Sequence, residues 1–200
     1  MKKLIAIAVV CFSASAARAQ LQTALYPLEV GNRWTYVVHN AKDKGKDNTK
    51  KTVDVEVERR EPYQKHIGYI LKNTSGAKVT TEHVVVMEDG VYKVQAAETL
   101  LTPPLCLIKL GDKGNTWNVD SKGGTTAIKG TYTVKADTVT VPAGTYEKAF
   151  KVSYTNGKSG DKRIDIDCWY VLNIGMVKQH INEKGNEIVL ELKKFEAARK

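Results

Sequence analysis

The sequence predicts an all-β, mainly antiparallel protein: a single curved sheet, half-barrel or barrel of about ten strands with few short helices. Three observations carry that expectation. Two-residue alternation recurs along the chain and is cleanest where Val53, Val55 and Val57 oppose Asp54, Glu56 and Glu58, the pattern of a strand with one buried and one wet face. Turn signals such as Glu88-Asp89-Gly90 and Glu183-Lys184-Gly185-Asn186 separate the strand-like runs at short intervals. No stretch of ordinary helix length repeats its apolar residues with helical spacing.

Lys2 and Lys3, an apolar run from Leu4 to Phe12, and Ala17-Arg18-Ala19 before Gln20 have the layout of a cleaved secretory signal peptide over residues 1–19. The apolar run is short for a membrane span, and no later stretch approaches the roughly 20 residues one needs. Cys11 follows Val9 and Val10 rather than the small residues expected before a lipidated cysteine. Residues 20–200 therefore read as one antiparallel β domain, periplasmic or secreted, with no transmembrane segment.

Tyr26-Pro27-Leu28 leads through a turn at Val30-Gly31-Asn32 into a first strand that places Trp34, Tyr36 and Val38 on one face. The polar run from Lys42 to Asn48 offers nothing to bury and reads as a solvated hairpin loop. Strands follow over Ile67 to Leu71, Val79 to Met87 and Val91 to Val94. Between Ala96 and Leu110 the pattern changes: Leu100, Leu101, Leu105, Leu107 and Ile108 make the greasiest part of the mature chain, and Pro103-Pro104 breaks any long helix there. That stretch is either a buried connection followed by a core strand, or the wall of an apolar pocket. A turn at Gly111-Asp112-Lys113-Gly114 then leads into Thr116 to Val119.

Thr125 to Gln179 holds the densest strand signal. Tyr132 to Val139 alternates, and Val141-Pro142-Ala143-Gly144 is a turn, with proline at its second position and glycine taking up the positive φ after it. Tyr146, Ala149, Val152 and Tyr154 resume off a strict two-residue period, so a bulge is expected near Lys148. Asn156-Gly157 reads as a further turn. Ile164, Ile166 and Cys168 alternate with Asp165 and Asp167, Gly175 interrupts before Met176-Val177, and Ile188, Leu190 and Leu192 form the last strand.

The whole chain carries +9, and without Lys2, Lys3 and Arg18 it has 28 basic against 22 acidic residues, or +6. A balance this mild identifies no partner. After signal cleavage two cysteines remain, Cys106 and Cys168, in a compartment that permits disulfides. The expectation is a Cys106–Cys168 bond worth roughly 4 kcal/mol through the unfolded chain; the alternative is a pair of buried thiols.

No motif names a reaction, so no catalytic residue, metal ligand or cofactor is assigned. His39, His66, His83 and His180 are scattered without metal-ligand spacing, and Asp161, Asp165 and Asp167 lack the order of a calcium loop. There is no nucleophile elbow, P-loop or dinucleotide fingerprint. Lysines and aromatics mix, as at Tyr92-Lys93, only as strand alternation produces, which gives no case for nucleic acid.

Tyr26 to Tyr36, the Val139 to Tyr146 turn, and Trp169-Tyr170 followed by Ile174-Gly175-Met176-Val177-Lys178 resemble uncharacterised secreted bacterial β-rich proteins. Some of these are similar to the LolA/LppX-like lipoprotein carriers, whose curved sheet forms a half-barrel with an apolar concave face; the helices that plug that half-barrel have no clear counterpart here. The resemblance implies a non-enzymatic binding protein for a lipid-like or other hydrophobic molecule, with Trp34, Tyr36, Leu101, Leu105, Leu107, Trp117 and Trp169 lining its pocket. The alternative is a structural or interaction module that pairs an exposed sheet edge with an envelope protein partner. An enzyme built from distant residues ranks third.

Overall fold

Strands that alternate in this way and follow one another through tight turns pair with their chain neighbours, and the remaining question is whether the two ends of the sheet meet. In the computed structural model, which describes residues 24–40, 51–109 and 115–199, they do. Twelve strands run β1 Arg33–Asn40, β2 Thr52–Arg60, β3 Gly68–Ser75, β4 Lys78–Met87, β5 Gly90–Ala96, β6 Thr99–Ile108, β7 Thr116–Gly123, β8 Thr126–Val141, β9 Gly144–Ser159, β10 Lys162–Val171, β11 Gly175–Glu183 and β12 Asn186–Glu196. Each pairs antiparallel with its neighbours. β1 closes the ring on β12 from Arg33↔Glu196 to Asn40↔Ile188. The result is a closed up-and-down barrel rather than the open half-barrel of the carriers. The expected signal peptide over residues 1–19, the expected loop from Lys42 to Asn48 and the expected turn at Gly111 to Gly114 lie outside the described residues.

Twelve strands are close to the expected ten, and they run through residues that read as punctuation. Pro103 and Pro104 lie inside β6, and Gly175 opens β11 at φ +92°. Asn156-Gly157 is not a turn but a bulge within β9: Asn156 takes φ +53°, and the hairpin turns later, at Gly160 (φ +62°). The bulge exists because of Tyr154, whose hydroxyl donates to the Lys129 carbonyl at 2.7 Å while its ring fills the space over Gly130 and Gly157. The irregularity near Lys148 is present, with Thr138 opposing both Glu147 and Lys148 between the Asp137↔Ala149 and Val139↔Tyr146 pairs.

Polarity follows the alternation. The interior takes Val53, Val55, Val57, Leu71, Ile166 and Leu190, while the outer wall carries ion pairs such as Arg33–Glu56 (2.8 Å) and Lys151–Asp167 (2.7 Å). A membrane-spanning barrel has its apolar band outside and its polar side chains within, the reverse of this arrangement.

One end of the barrel is stoppered by the chain that precedes β1. Leu25 and Leu28 are buried there, and Asn32, 3 % exposed, ties both termini to the wall. Its Nδ2 donates to the Pro27 carbonyl (2.7 Å), and its Oδ1 accepts from the Ala198 backbone N–H (2.8 Å). Its own carbonyl accepts from Val57 N–H (2.9 Å). Asn32→Ala leaves the half-buried Ala198 N–H and Pro27 carbonyl without these partners, and is expected to cost about 1–3 kcal/mol. The urea midpoint should fall accordingly; an unchanged midpoint would show that the clasp contributes nothing.

Two seams depart from a full ladder. The β11–β12 register ends at Lys178↔Glu191. Beyond it the carbonyls of Ile174 and Met176 accept from Trp34 Nε1 (2.5 Å) and Tyr36 OH (2.8 Å), so side chains of β1 stand in for the missing backbone donors. At the β6–β7 seam only Leu101↔Gly123 and Thr102↔Lys122 pair. There Trp117 Nε1 donates to the Cys106 carbonyl (3.3 Å) and Ser121 Oγ to the Pro103 carbonyl (2.6 Å).

Candidate functional site: the barrel lumen

Twelve strands enclose more space than their inward side chains fill, and the remainder is a cavity of about 360 Å³ inside the barrel. Its wall is mostly apolar, with Val53, Val55, Leu71, Leu105, Leu107, Ile166, Met176 and Leu190 contributing from around the ring. Tyr26, Trp34, Tyr36, Tyr132 and Tyr170 supply an aromatic lining, with Tyr26 and Tyr170 at 6.1 Å between ring centres. Among the described residues, the charged side chains lining it are Glu82 of β4 and Lys93 of β5, paired at 2.9 Å. Asn73, Thr80, Cys168 and Gln179 complete the polar part.

Burial keeps the hydroxyls and the thiol neutral. It pushes the phenols of Tyr36 and Tyr170 well above the ordinary tyrosine range. Tyr132 is raised first by burial and then by the nearby thiols and Tyr154, and Tyr26 first by burial and then by the Glu82 carboxylate. The Cys168 thiol is pushed up to about 11 by burial, although hydrogen bonds with Gln179 and Tyr170 and the Lys93 charge act the other way. Gln179 Nε2 lies 3.4 Å from its sulfur.

The residues singled out from sequence divide three ways. Trp34, Tyr36, Leu105 and Leu107 line the cavity. Leu101 and Trp117 are buried behind it: Leu101 packs over Gly123 at the β6–β7 seam, and Trp117 stacks on Tyr132 with ring centres 5.2 Å apart. Trp169 lies on the outer wall. Its strand neighbour Cys168 faces the lumen, so alternation turns Trp169 outward, where Nε1 donates to Asp137 (3.0 Å) and the ammonium groups of Lys151 and Lys178 stand 4.8 and 5.8 Å from the ring.

The expected disulfide is absent, and both cysteines are free thiols. Cys106 on β6 pairs with Tyr92 of β5, and its sulfur contacts the Ile108 carbonyl at 3.7 Å. Cys168 sits four strands further round on β10, with β7, β8 and β9 between, beyond the roughly 7 Å Cα separation a disulfide can bridge. Burial also raises the Cys106 thiol, to about 11. Only about a thousandth of either thiol is thiolate at pH 8, so iodoacetamide should label the folded protein about a hundredfold more slowly than the urea-unfolded chain. Mass spectrometry of the adducts reads both rates; equal rates would place the thiols in solvent.

His83, 7 % exposed, contacts the Glu61 carbonyl at 3.1 Å through Nε2 and packs edge-on against Tyr63, so it anchors the excursion between β2 and β3. Among the described residues no three His, Cys, Asp or Glu side chains gather into a metal-binding group, and no helix is long and apolar enough to cross a membrane.

Comparison with known protein families and with curated proteins finds no match. Solved structures do match. A protein of Parabacteroides distasonis described as a candidate lipoprotein superposes with TM-score 0.55 at 16 % identity, over 86 % of this chain and 98 % of its own. A candidate exported protein of Bacteroides fragilis with a YmcC-like fold superposes with TM-score 0.55 at 13 % identity, over 84 % of this chain and 97 % of its own. At such identities the likeness concerns the fold.

Proposed function

We propose that this chain is an exported, non-enzymatic binding protein of the bacterial envelope whose lumen holds a small hydrophobic, lipid-like molecule. The observation that carries this reading is the cavity itself. Its 360 Å³ falls within the range of small-molecule pockets, its wall is predominantly apolar, and its polar groups are few. The signal-like N-terminal sequence and the shared fold with two bacterial proteins described as a candidate lipoprotein and a candidate exported protein support the envelope location. The reading requires no cofactor and no nucleic acid.

The interaction-module alternative draws less support, because it needs a bare sheet edge and each of the twelve strands here has a partner on both sides.

Native mass spectrometry of the protein isolated from its own envelope tests the proposal. The expected result is a mass excess that disappears on denaturation, and is missing from a Leu105→Trp variant whose added indole occupies the lumen. An excess that survives in that variant would place the bound molecule elsewhere.

A further inference from the structure

Glu82 and Lys93 are unexplained by the apolar reading of the lumen. An ion pair taken out of water loses more solvation than its mutual attraction returns unless its remaining hydrogen-bonding capacity is also met. Here one Lys93 N–H meets Glu82 Oε1 at 2.9 Å, with side-chain exposures of 21 % and 28 %. That leaves two ammonium hydrogens and the second carboxylate oxygen on a pair that lines the cavity. A purely hydrocarbon occupant would cover both and satisfy neither.

Across the lumen, Gln179 donates to the Cys168 sulfur through Nε2. Tyr26 also lines the lumen, and burial first and the Glu82 carboxylate second keep its hydroxyl a neutral donor. The polar groups of the lumen therefore include both donors and acceptors, and the charges of the Glu82–Lys93 pair cancel.

We infer that the Glu82–Lys93 pair is the head-group reader of the lumen, and that it selects single-chain amphiphiles ending in an uncharged hydroxyl or primary amide over those ending in a carboxylate or an amine. This inference rests on the lumen-binding reading. A hydroxyl accepts from Lys93 and donates to Glu82 at once, using the capacity the pair leaves open. A carboxylate or an ammonium brings a full charge into a low-dielectric space whose own charges already cancel, and one member of the pair repels it.

The test uses dodecanol, dodecanoate and dodecylamine, which share a tail and differ in the head, as competitors of a polarity-sensitive fluorescent probe held in the lumen. On the wild-type protein dodecanol should bind about tenfold or more tighter than either charged analogue, the factor that a hydrogen bond to a charged group supplies. Glu82→Gln leaves the lysine unopposed and should bring dodecanoate to first rank; Lys93→Met should do the same for dodecylamine. The exchanged pair Glu82→Lys with Lys93→Glu restores neutrality, and with it the preference for the alcohol.

Equal affinity for the three heads, with ranks unmoved in the variants, would overturn the head-group assignment while leaving the lumen reading intact. Failure of all three to compete, with the probe itself unbound, would overturn the lumen reading and this inference together.

Discussion

Gly157→Val is expected to disrupt the β9–β10 seam, at a cost of about 4 kcal/mol or more, in the range of severe overpacking. A Cβ at that position would sit 2.1 Å from the Ile164 carbonyl oxygen and 2.2 Å from Tyr154 Cε1. Neither obstacle can yield cheaply. The carbonyl belongs to the β9–β10 ladder, and the tyrosine ring is held by its hydroxyl bond to Lys129 O and by the close approach of Gly130 beneath it. The requirement is one of space, because Gly157 is not among the glycines at positive φ. Gly185→Ala is the contrasting case. Its Cβ would meet nothing within 4 Å, although φ is +80°, and about 1 kcal/mol should suffice. Urea titrations of both variants separate steric cost from backbone cost. A Gly157→Val protein as stable as Gly185→Ala would contradict the packing described for Tyr154.

Raising the pH should unfold the protein cooperatively, as a consequence of the lumen tyrosines. Tyr26, Tyr36, Tyr132 and Tyr170 all have folded-state pKa values above their unfolded value near 10, chiefly through burial. Below about pH 9 both states keep these protons and the phenols impose no pH dependence. Above pH 10 the unfolded chain releases protons that the folded barrel retains, so stability falls as pH rises. Each retained proton removes about 1.4 kcal/mol per pH unit. Four phenols at pH 11 together remove roughly 5 kcal/mol, a large part of the 5–15 typical of a domain. Phenolate absorbance for these groups should therefore appear together with loss of the strand circular dichroism. A smooth titration that leaves the β signal intact would mean that the phenols are in contact with water.

The barrel was legible because its evidence is local. Val53, Val55 and Val57 against Asp54, Glu56 and Glu58 declare a face on their own, and Val141 to Gly144 declares a turn on its own, realised with Val141 paired to Gly144. Closure was not legible, since it depends on β1 meeting β12 across more than 140 residues, and nothing in Arg33 to Asn40 names that partner. The lumen was half legible for the same reason. Trp34, Tyr36, Leu105 and Leu107 are large and apolar and line it, but Trp169 is equally large and faces outward. A barrel strand's inward face is fixed by phase and not by residue type: Ile166, Cys168 and Tyr170 face the lumen, so Trp169 between them faces out. Glu82 and Lys93 carry no such signal, because charged residues in strands normally mark the wet face. Their pairing joins β4 to β5 and is visible only once the register is known.

The central claim is that the lumen is a binding space rather than an imperfectly filled core. Titration of a single-chain fluorescent amphiphile into the wild-type protein and into Leu105→Trp tests it most directly. We expect saturable binding of one probe per wild-type chain, loss of that binding in the variant, and a variant stability within about 1.5 kcal/mol of wild type, since an added ring would occupy space already vacant. A lumen that belongs to a filled core predicts the opposite on both counts: no saturable binding by the wild type, and a Leu105→Trp protein destabilised by overpacking.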